Sequence, residues 1–149
     1  MFEIKEISAF ETISVRHPVL RFGKPIESCL FEGDDLSTTT HFGLLYEDQL
    51  SAVISIFEAK NIFFPEENQY QIRGMAVLEE HQKKGFGEAL LKYCENQIRI
   101  KWGEIIWFNA RETAVGFYEK SGYHKIGNSF EITDIGIHYV LFKPLNKIK

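Results

Sequence analysis

The 149-residue sequence has few of the residues that mark several common classes of protein. Its two cysteines, Cys29 and Cys94, are too few for a disulfide framework and belong to no Cys/His cluster that would predict a zinc site. We therefore expect no metal, and reduced thiols as in a cytoplasmic protein. No apolar run reaches the length of a membrane span, and the chain does not open with a cationic segment followed by an apolar one. We therefore expect neither a membrane partner nor a secretion signal.

Cationic residues are also too few to form a strongly basic surface. The sequence has 17 lysines and arginines against 21 aspartates and glutamates, a net charge of −4. Because a nucleic-acid binder needs a basic face to neutralise phosphates, we expect no nucleic-acid partner. What the chain does have is a hydrophobic fraction of 44% with 13 phenylalanines, which suits a ring-rich core. Its length predicts one domain over residues 1–149.

Hydrophobic periodicity predicts the element order β α β β β α β α β β, which indicates a mixed α/β layered sheet with helices on both faces. We expect a first helix over residues 10–21, broken near His17–Pro18 because proline removes a backbone donor. A second helix should begin at Phe86 and end before Trp102, and a third should cover residues 113–120. The expected strands are residues 3–8, 41–46, 50–58, 70–78, 105–110, 123–130 and 136–143. The turn Glu47-Asp48-Gln49 between the second and third strands predicts a hairpin. Side chains of strand 70–78 should alternate between its two faces, and the apolar strand 105–110 should be buried on both faces.

The polar loop Gln82–Gly87, with the sequence Gln-Lys-Lys-Gly-Phe-Gly, lies between a predicted strand and a predicted helix. Unpaired N–H groups and the positive end of the dipole make a helix N-terminus favourable to anions, and glycines allow a close backbone approach. Lys83 and Lys84 add charge, so we interpret the loop as a pyrophosphate site. The loop does not match a dinucleotide-binding fingerprint, because the third small residue is missing. It does not match a Walker A loop either, because no Ser or Thr follows a Gly-Lys pair. On the glycines alone, an ordinary strand–helix turn is an equal alternative.

Two segments together resemble the GNAT superfamily of N-acetyltransferases. The first is Met75-Ala76-Val77 followed by the loop Gln82–Gly87 and Glu88-Ala89-Leu90, similar to the family's Gln/Arg-x-x-Gly-x-Gly/Ala signature after a strand. The second runs from Asn109 to Tyr123 and is similar to the family's Asn…Ala-x-x-Phe-Tyr-x-Lys-x-Gly-Phe/Tyr block. The resemblance, to a small bacterial-type member of unassigned substrate, implies a mostly antiparallel central sheet that splays at the cofactor cleft.

The resemblance implies acetyl-CoA as the acyl donor. The backbones of Met75 and Val77 would bind the pantetheine, the loop Gln82–Gly87 would hold the pyrophosphate, and Asn109 would contact the pantetheine arm. From the residues alone, Met75 and Val77 could be core residues, and Asn109 could cap the following turn. The implied cofactor-binding residues are Met75, Ala76, Val77, Gln82, Lys83, Lys84, Gly85, Phe86, Gly87, Glu88, Asn109, Ala114 and Phe117.

The resemblance also implies that Tyr118 is the general acid that protonates the departing CoA thiolate; its alternative is core packing with a satisfied hydroxyl. The sequence has no Gly-x-Ser-x-Gly elbow, and neither cysteine has an activating context, so direct attack by an amine is expected. The base is open. Gln71 stands where histone-type relatives carry glutamate, His41 and His138 are weak candidates, and a water chain would also serve.

The expected acceptor is a primary amine of a small molecule, peptide or protein. The predicted loop Phe22–Thr40 carries Glu27, Glu32, Asp34 and Asp35, which would suit an amine or would form a solvated cluster. Arg73 could instead bind a carboxylate, and His41 could line the site. The alternative functions are a non-catalytic acyl-CoA-binding module on the same fold and a generic nucleotide binder. Among GNAT relatives homodimers are common, so a homodimer is one assembly to expect.

Overall fold

The structure, a computed structural model, describes residues 1–145. Its seven strands form one sheet in the order β1-β2-β3-β4-β5-β7-β6. The pairs β1–β2, β2–β3, β5–β7 and β6–β7 are antiparallel, and β4 is parallel to β5. The predicted mixed, mostly antiparallel α/β sheet is therefore confirmed. The elements are β1 (Phe2–Ile7), α1 (Ala9–Leu20), β2 (Thr40–Tyr46), β3 (Gln49–Glu58), β4 (Gln69–Val77), α2 (Phe86–Ile100), β5 (Ile105–Arg111), α3 (Val115–Lys120), β6 (His124–Ile132) and β7 (Gly136–Pro144).

The chain forms two compact units. The first comprises Met1–Phe57 and Ile72–Asn96, and the second comprises Glu58–Gln71 and the chain from Gln97 onwards. Strand β4 contributes its first three residues to the second unit and the rest to the first. The single domain expected over residues 1–149 stays a prediction.

Helix α1 begins with a reciprocal cap. The Ser8 hydroxyl accepts a hydrogen bond from the Glu11 amide at 3.1 Å, and the Glu11 carboxylate accepts one from the Ser8 amide at 2.9 Å. The expected break at Pro18 is wrong, because the helix runs on to Leu20. Pro18 is exposed and lies in the last turn, where its missing N–H removes a single bond, while the Arg21 amide still donates to the His17 carbonyl at 3.1 Å.

A tight hairpin joins β2 and β3, as the sequence predicted. Glu47 and Asp48 both have positive φ, 51° and 64°, as in the turns whose twist matches that of paired strands. Behind it, the core of the first unit includes Ile7, Val15, Val53 and Ala76, packed against Val19, Leu20, Leu50 and Leu78. This core holds α1 and the end of β4 in place.

In the second unit β4 is parallel to β5, with Gln69 opposite Ile105 and Gln71 opposite Trp107. These are the first three residues of each strand, although β4 runs on to Val77 and β5 to Arg111. The first four residues of β5 are buried, as their apolar run predicted. Among the described residues, no helix is long and apolar enough to cross a membrane.

Candidate active site

The connection from β4 to α2 forms an exposed loop at the helix N-terminus. A short 3-10 turn, Glu79–His81, precedes it, and Gln82 to Gly85 are exposed. Lys83 and Gly85 have positive φ, 67° and 82°. A Cβ at Gly85 would meet nothing within 4 Å, so this φ, and not crowding, is what favours glycine there. Backbone of this kind turns successive N–H groups toward one side and forms a concavity for anions.

The side chains of the loop support this backbone. The Gln82 amide nitrogen donates to the Val77 carbonyl at 3.1 Å, which ties the loop to the end of β4. The Lys84 ammonium donates to Nδ1 of His81 at 3.0 Å and lies 4.6 Å from the centre of the Tyr46 ring. Lys83, in contrast, is exposed, and the described residues contain no partner for its ammonium group. The loop therefore offers backbone N–H groups and one free cation to an anion.

The first residues of α2 divide between core and solvent. The Phe86 side chain is buried and packs on the rings of Phe2 and Tyr46, so only its backbone faces the loop. Glu88 is exposed and pairs with Lys92 at 3.1 Å. Of the predicted cofactor residues here, Phe86 and Glu88 thus have side chains already engaged by the protein itself.

The end of β4 exposes its edge residues unequally. Ala76 is buried in the core of the first unit, whereas Met75 and Val77 are half-buried. Gly74 has a φ of +66°, which interrupts the regular alternation that the sequence predicted for the strand. A Cβ there would lie 3.0 Å from the Phe31 ring and 3.2 Å from Nε of Arg16. The close approach and the φ both require glycine at this position.

In the second unit, Tyr118 lies on α3 against an aromatic cluster. The centre of its ring is 4.5 Å from that of Phe108 and 5.1 Å from that of Phe117. Burial raises the pKa of the Tyr118 hydroxyl to about 12. Within the described residues this hydroxyl has no hydrogen-bond partner. The ring of Tyr118 is therefore held by its aromatic neighbours, and its protonated hydroxyl is available to donate a hydrogen bond to a ligand.

The other predicted residues of this unit surround α3. Asn109 is exposed on β5 opposite Val140, and no hydrogen bond engages its side chain among residues 1–145. Ala114 is half-buried at the start of α3, and Phe117 is 42% exposed. Neither side chain is committed to the core, so both are accessible to a ligand.

A buried ion pair, missed in the sequence, replaces part of the expected acidic wall. Asp34 is buried and accepts hydrogen bonds from Arg16 at 2.7 and 3.2 Å, so it belongs neither to an acidic wall facing an amine nor to a solvated cluster. Arg16 is fully buried and also donates to the Cys29 carbonyl at 2.9 Å and to the Ser55 hydroxyl at 3.0 Å. The sequence signal for the burial of Arg16 is its spacing of four residues from Thr12. This spacing places both side chains on the same face of α1, and that face is buried.

His41 belongs to the same buried network. Its Nε2 lies 3.0 Å from the Asp34 carbonyl, which can only accept, so Nε2 carries a proton. Its Nδ1 lies 2.6 Å from the Ser55 hydroxyl. Both nitrogens are engaged and the side chain is buried, so the ring has no nitrogen free for an acceptor in this structure. His138 is similarly buried, with Nδ1 donating to the Gly136 carbonyl at 2.8 Å.

Arg73 lies above this network, between two rings. Its guanidinium carbon is 5.0 Å from the centre of the Phe31 ring and 5.2 Å from that of Phe57. Burial lowers the pKa of Arg73, the Asp34 charge opposes that shift, and Arg16 and Arg21 add to it. Among the described residues, no hydrogen bond or ion pair engages this guanidinium.

The remaining candidates have no reactive environment. Cys94 is buried, which raises the pKa of its thiol and leaves it inert, and Cys29 is buried as well. Glu79 and Glu80 are exposed on the turn before the loop. Gln71 is half-buried on β4, opposite Trp107 of β5. In residues 1–145 no group of three or more His, Cys, Asp or Glu side chains could hold a metal ion.

Comparison with known proteins identifies the family and the fold. Residues 27–141 match the family described as the acetyltransferase (GNAT) domain. The chain is 33% identical over 145 residues to the uncharacterized N-acetyltransferase YitI of Bacillus subtilis strain 168, covering 97% of both chains. It is 25% identical over 145 residues to an uncharacterized N-acetyltransferase of Bacillus pumilus, covering 95% of this chain and 85% of that one.

Solved structures share the fold at lower identity. The ribosomal-protein-S18-alanine N-acetyltransferase of Escherichia coli has a TM-score of 0.79 and 15% identity, with 100% of this chain and 97% of that chain covered. An aminoglycoside 6'-N-acetyltransferase complexed with coenzyme A has a TM-score of 0.77 and 13% identity, with 99% of each covered. The class that the fold and the matches define is N-acetyltransferase. The chain belongs to the GNAT superfamily.

Proposed function

We propose that this protein transfers an acetyl group from acetyl-CoA to a primary amine by direct attack, without a covalent enzyme intermediate. The observation that carries the proposal is the exposed loop before α2, where Lys83 and Gly85 have positive φ and Lys83 has no partner among residues 1–145. Such a loop fits a pyrophosphate, because its donors are backbone N–H groups at a helix N-terminus and its charge is positive.

Each part of the cofactor would have its own protein partners. The backbone of the loop Gln82–Gly87 and the Lys83 ammonium would hold the pyrophosphate. The half-buried edge at Met75 and Val77 would bind the pantetheine amides through backbone groups, and the exposed Asn109 amide would bind the same arm. Acetyl-CoA itself supplies an activated thioester, so the protein needs only to orient it against the amine.

Tyr118 would act on the leaving group. A hydroxyl whose pKa is raised to about 12 by burial holds its proton throughout the neutral range. It can therefore donate to the thiolate as the C–S bond breaks. A free thiol has a pKa of about 8.5, which is lower than the raised pKa of Tyr118. Complete transfer of the proton from Tyr118 to the CoA thiolate is therefore unfavourable. The main contribution of Tyr118 is then a hydrogen bond that strengthens as the thiolate forms.

The attacking amine must lose a proton first. An alkylamine has a pKa of about 10.4, so its neutral form at pH 7 costs roughly 4–5 kcal/mol. Gln71 cannot accept that proton, and both ring nitrogens of His41 are engaged. His138 is buried, with Nδ1 bonded to the Gly136 carbonyl. We therefore propose water as the route by which the proton reaches solvent.

The second candidate function is an acyl-CoA-binding module without catalysis. The burial of His41 and His138 favours it, because neither candidate base is exposed to the ammonium group of an acceptor. It predicts CoA binding with no acetyl transfer to any amine.

A panel of amines, assayed by release of free CoA from acetyl-CoA, separates the two functions. We expect CoA release that depends on the amine, together with an acetylated product detected by mass spectrometry. Binding of CoA in a calorimeter with no product from any amine would support the non-catalytic module. Retention on a nucleotide matrix that ATP elutes and CoA does not would exclude both.

A further inference from the structure

Three arginines in the first unit surround one aromatic ring. The guanidinium carbons of Arg16, Arg73 and Arg21 lie 3.9, 5.0 and 5.4 Å from the centre of the Phe31 ring. Among the described residues, the buried carboxylate whose charge acts on Arg73 is that of Asp34. Cation–π contacts stabilise such an arrangement, but they do not neutralise its charge.

Of the three arginines, Arg16 is the one that pairs with the Asp34 carboxylate. Asp34 receives two hydrogen bonds from Arg16 and a third from the Phe31 amide at 2.9 Å. It therefore fixes both the buried arginine and the backbone that carries the ring. Glu32 is exposed, and its attraction for Arg73 is weaker than the repulsion from Arg16 and Arg21. The cluster thus keeps an excess of positive charge around Arg73.

Arg73 is the member of the cluster that is open to a ligand. Its guanidinium is half-buried between the rings of Phe31 and Phe57 and lacks any hydrogen-bonded or ion-paired partner in residues 1–145. Arg21 is also half-buried and uses one nitrogen on the Leu20 carbonyl at 3.0 Å, which leaves its other donors available. A planar, ring-stacked guanidinium with free donors is suited to bidentate binding of a carboxylate.

The position of Arg73 relates this cluster to the reaction. Arg73 precedes Met75 by two residues on β4, a span of at most about 7 Å along the chain. Gly74 lies between them, packed on Phe31 and Arg16, and therefore holds the strand against the cluster. If Met75 binds the pantetheine as proposed above, a group held by Arg73 lies within reach of the thioester end of the cofactor.

We propose that Arg73, assisted by Arg21, binds a carboxylate carried by the acceptor, so that the substrates are amines with a carboxylate, such as amino acids, and not polyamines. This inference rests on the proposed N-acetyltransferase function and gives it a substrate class. The carboxylate neutralises the excess charge of the cluster, and the amine of the same molecule is then oriented toward the acetyl group.

Matched acceptors that differ only in the carboxylate test this proposal. The pairs are lysine with cadaverine, phenylalanine with phenethylamine, and ε-aminocaproate with pentylamine. A dipeptide with a free carboxyl end and its amide form a further pair, which distinguishes peptides from free amino acids. For the wild-type protein we expect kcat/KM to be at least about 10-fold higher for the carboxylate member of each pair. Its decarboxylated partner cannot form the charge-assisted hydrogen bonds to the arginines.

Variants assign the preference to the arginines. Arg73→Gln should lower kcat/KM for the carboxylate member by about 10- to 100-fold and change that of its decarboxylated partner less than about 3-fold. Arg21→Gln should give a smaller loss of the same kind. Lys5→Gln, which removes one exposed charge on β1, is the matched control and should leave the ratio unchanged. If Arg73→Gln does not fold, Arg73→Lys keeps the charge without the planar fork and should still reduce the preference.

The outcomes separate this proposal from the function on which it rests. Equal activity toward both members of every pair, or an unchanged ratio in Arg73→Gln, would overturn the carboxylate site while leaving acetyl transfer intact. If no amine is acetylated, calorimetric titration of lysine and of cadaverine into the CoA-bound protein provides the second measurement. Tighter binding of lysine that disappears in Arg73→Gln would support the site, and equal binding of the two would refute it.

Discussion

Arg16 and Asp34 form a two-point ion pair inside the first unit, with Nη1 2.7 Å from Oδ2 and Nη2 3.2 Å from Oδ1. Both side chains are buried. The pair joins α1 to the loop that carries Phe31, because Asp34 also accepts from the Phe31 amide. It therefore determines where the ring beneath Arg73 lies.

Removing the Asp34 charge should destabilise the protein. Asp34→Asn leaves the Arg16 guanidinium buried without its counter-charge, so we expect the free energy of unfolding to fall by about 3–5 kcal/mol. Asp35→Asn, at the exposed neighbouring position, should change it by less than about 0.5 kcal/mol. Urea titration of the three proteins measures both. Similar midpoints for the wild type and Asp34→Asn would show that the pair contributes little to folding.

The sequence predicted local elements better than long-range contacts. The β2–β3 hairpin followed from alternation around a polar turn, and α2 followed from its apolar stripe. The helical break at Pro18 was wrong, because one lost hydrogen bond in the last turn is small beside the packing of α1. The burial of Asp34 could not be predicted, since it depends on a partner 18 positions earlier and on no local period.

The loop of the candidate site illustrates the same division. Its polarity and glycines indicated an anion site, and a resemblance supplied the cofactor. The sequence could not reveal that Lys84 contacts His81 whereas Lys83 has no partner in residues 1–145. The contact of Lys84 and the positive φ of Lys83 are both properties of the folded chain and follow from no local pattern.

A negative charge at the start of α2 should abolish CoA binding. Gly87→Asp adds bulk and charge where the pyrophosphate is proposed to bind, and we expect the affinity for CoA to fall on the order of 100-fold. The helix itself should tolerate the change, because an aspartate in the first turn interacts favourably with its dipole. Calorimetry with CoA measures the affinity, and circular dichroism checks the fold. The control is Asn128→Asp, the same gain of charge at an exposed position on β6. Wild-type affinity in Gly87→Asp would refute the phosphate site.

Loss of the Tyr118 hydroxyl should affect turnover and spare binding. Tyr118→Phe keeps the ring contacts with Phe108 and Phe117. We expect kcat to fall by about 10²–10³-fold, the range for loss of one hydrogen-bond donor to a developing charge, with the CoA dissociation constant within about 3-fold of wild type. Tyr139→Phe, on β7 of the same unit, provides the control. Should both variants turn over at the wild-type rate, Tyr118 has a packing role only.

The pH dependence should report the amine and not Tyr118. For ε-aminocaproate, kcat/KM should rise by about tenfold per unit from roughly pH 6 to pH 9, because the neutral fraction of an alkylamine increases in that range. Burial raises the pKa of Tyr118 to about 12, so its proton stays in place and no falling limb is expected there. Tyr118→Phe should lower the whole profile without changing its slope. A falling limb near pH 8 that disappears in this variant would mean that the hydroxyl ionises in the neutral range.

The same raised pKa has a consequence for stability. A tyrosine that binds its proton more tightly in the folded state stabilises the protein fully below the unfolded pKa of about 10, and this stability is lost as the pH rises toward the folded value. Unfolding by urea should therefore become easier between about pH 10 and pH 12. Tyr70, whose pKa burial also raises, contributes in the same direction. Comparing Tyr118→Phe with the wild type isolates the contribution of Tyr118, because the variant should lose stability less steeply in this range. Parallel losses in the two proteins would contradict the burial-induced rise in the pKa of Tyr118.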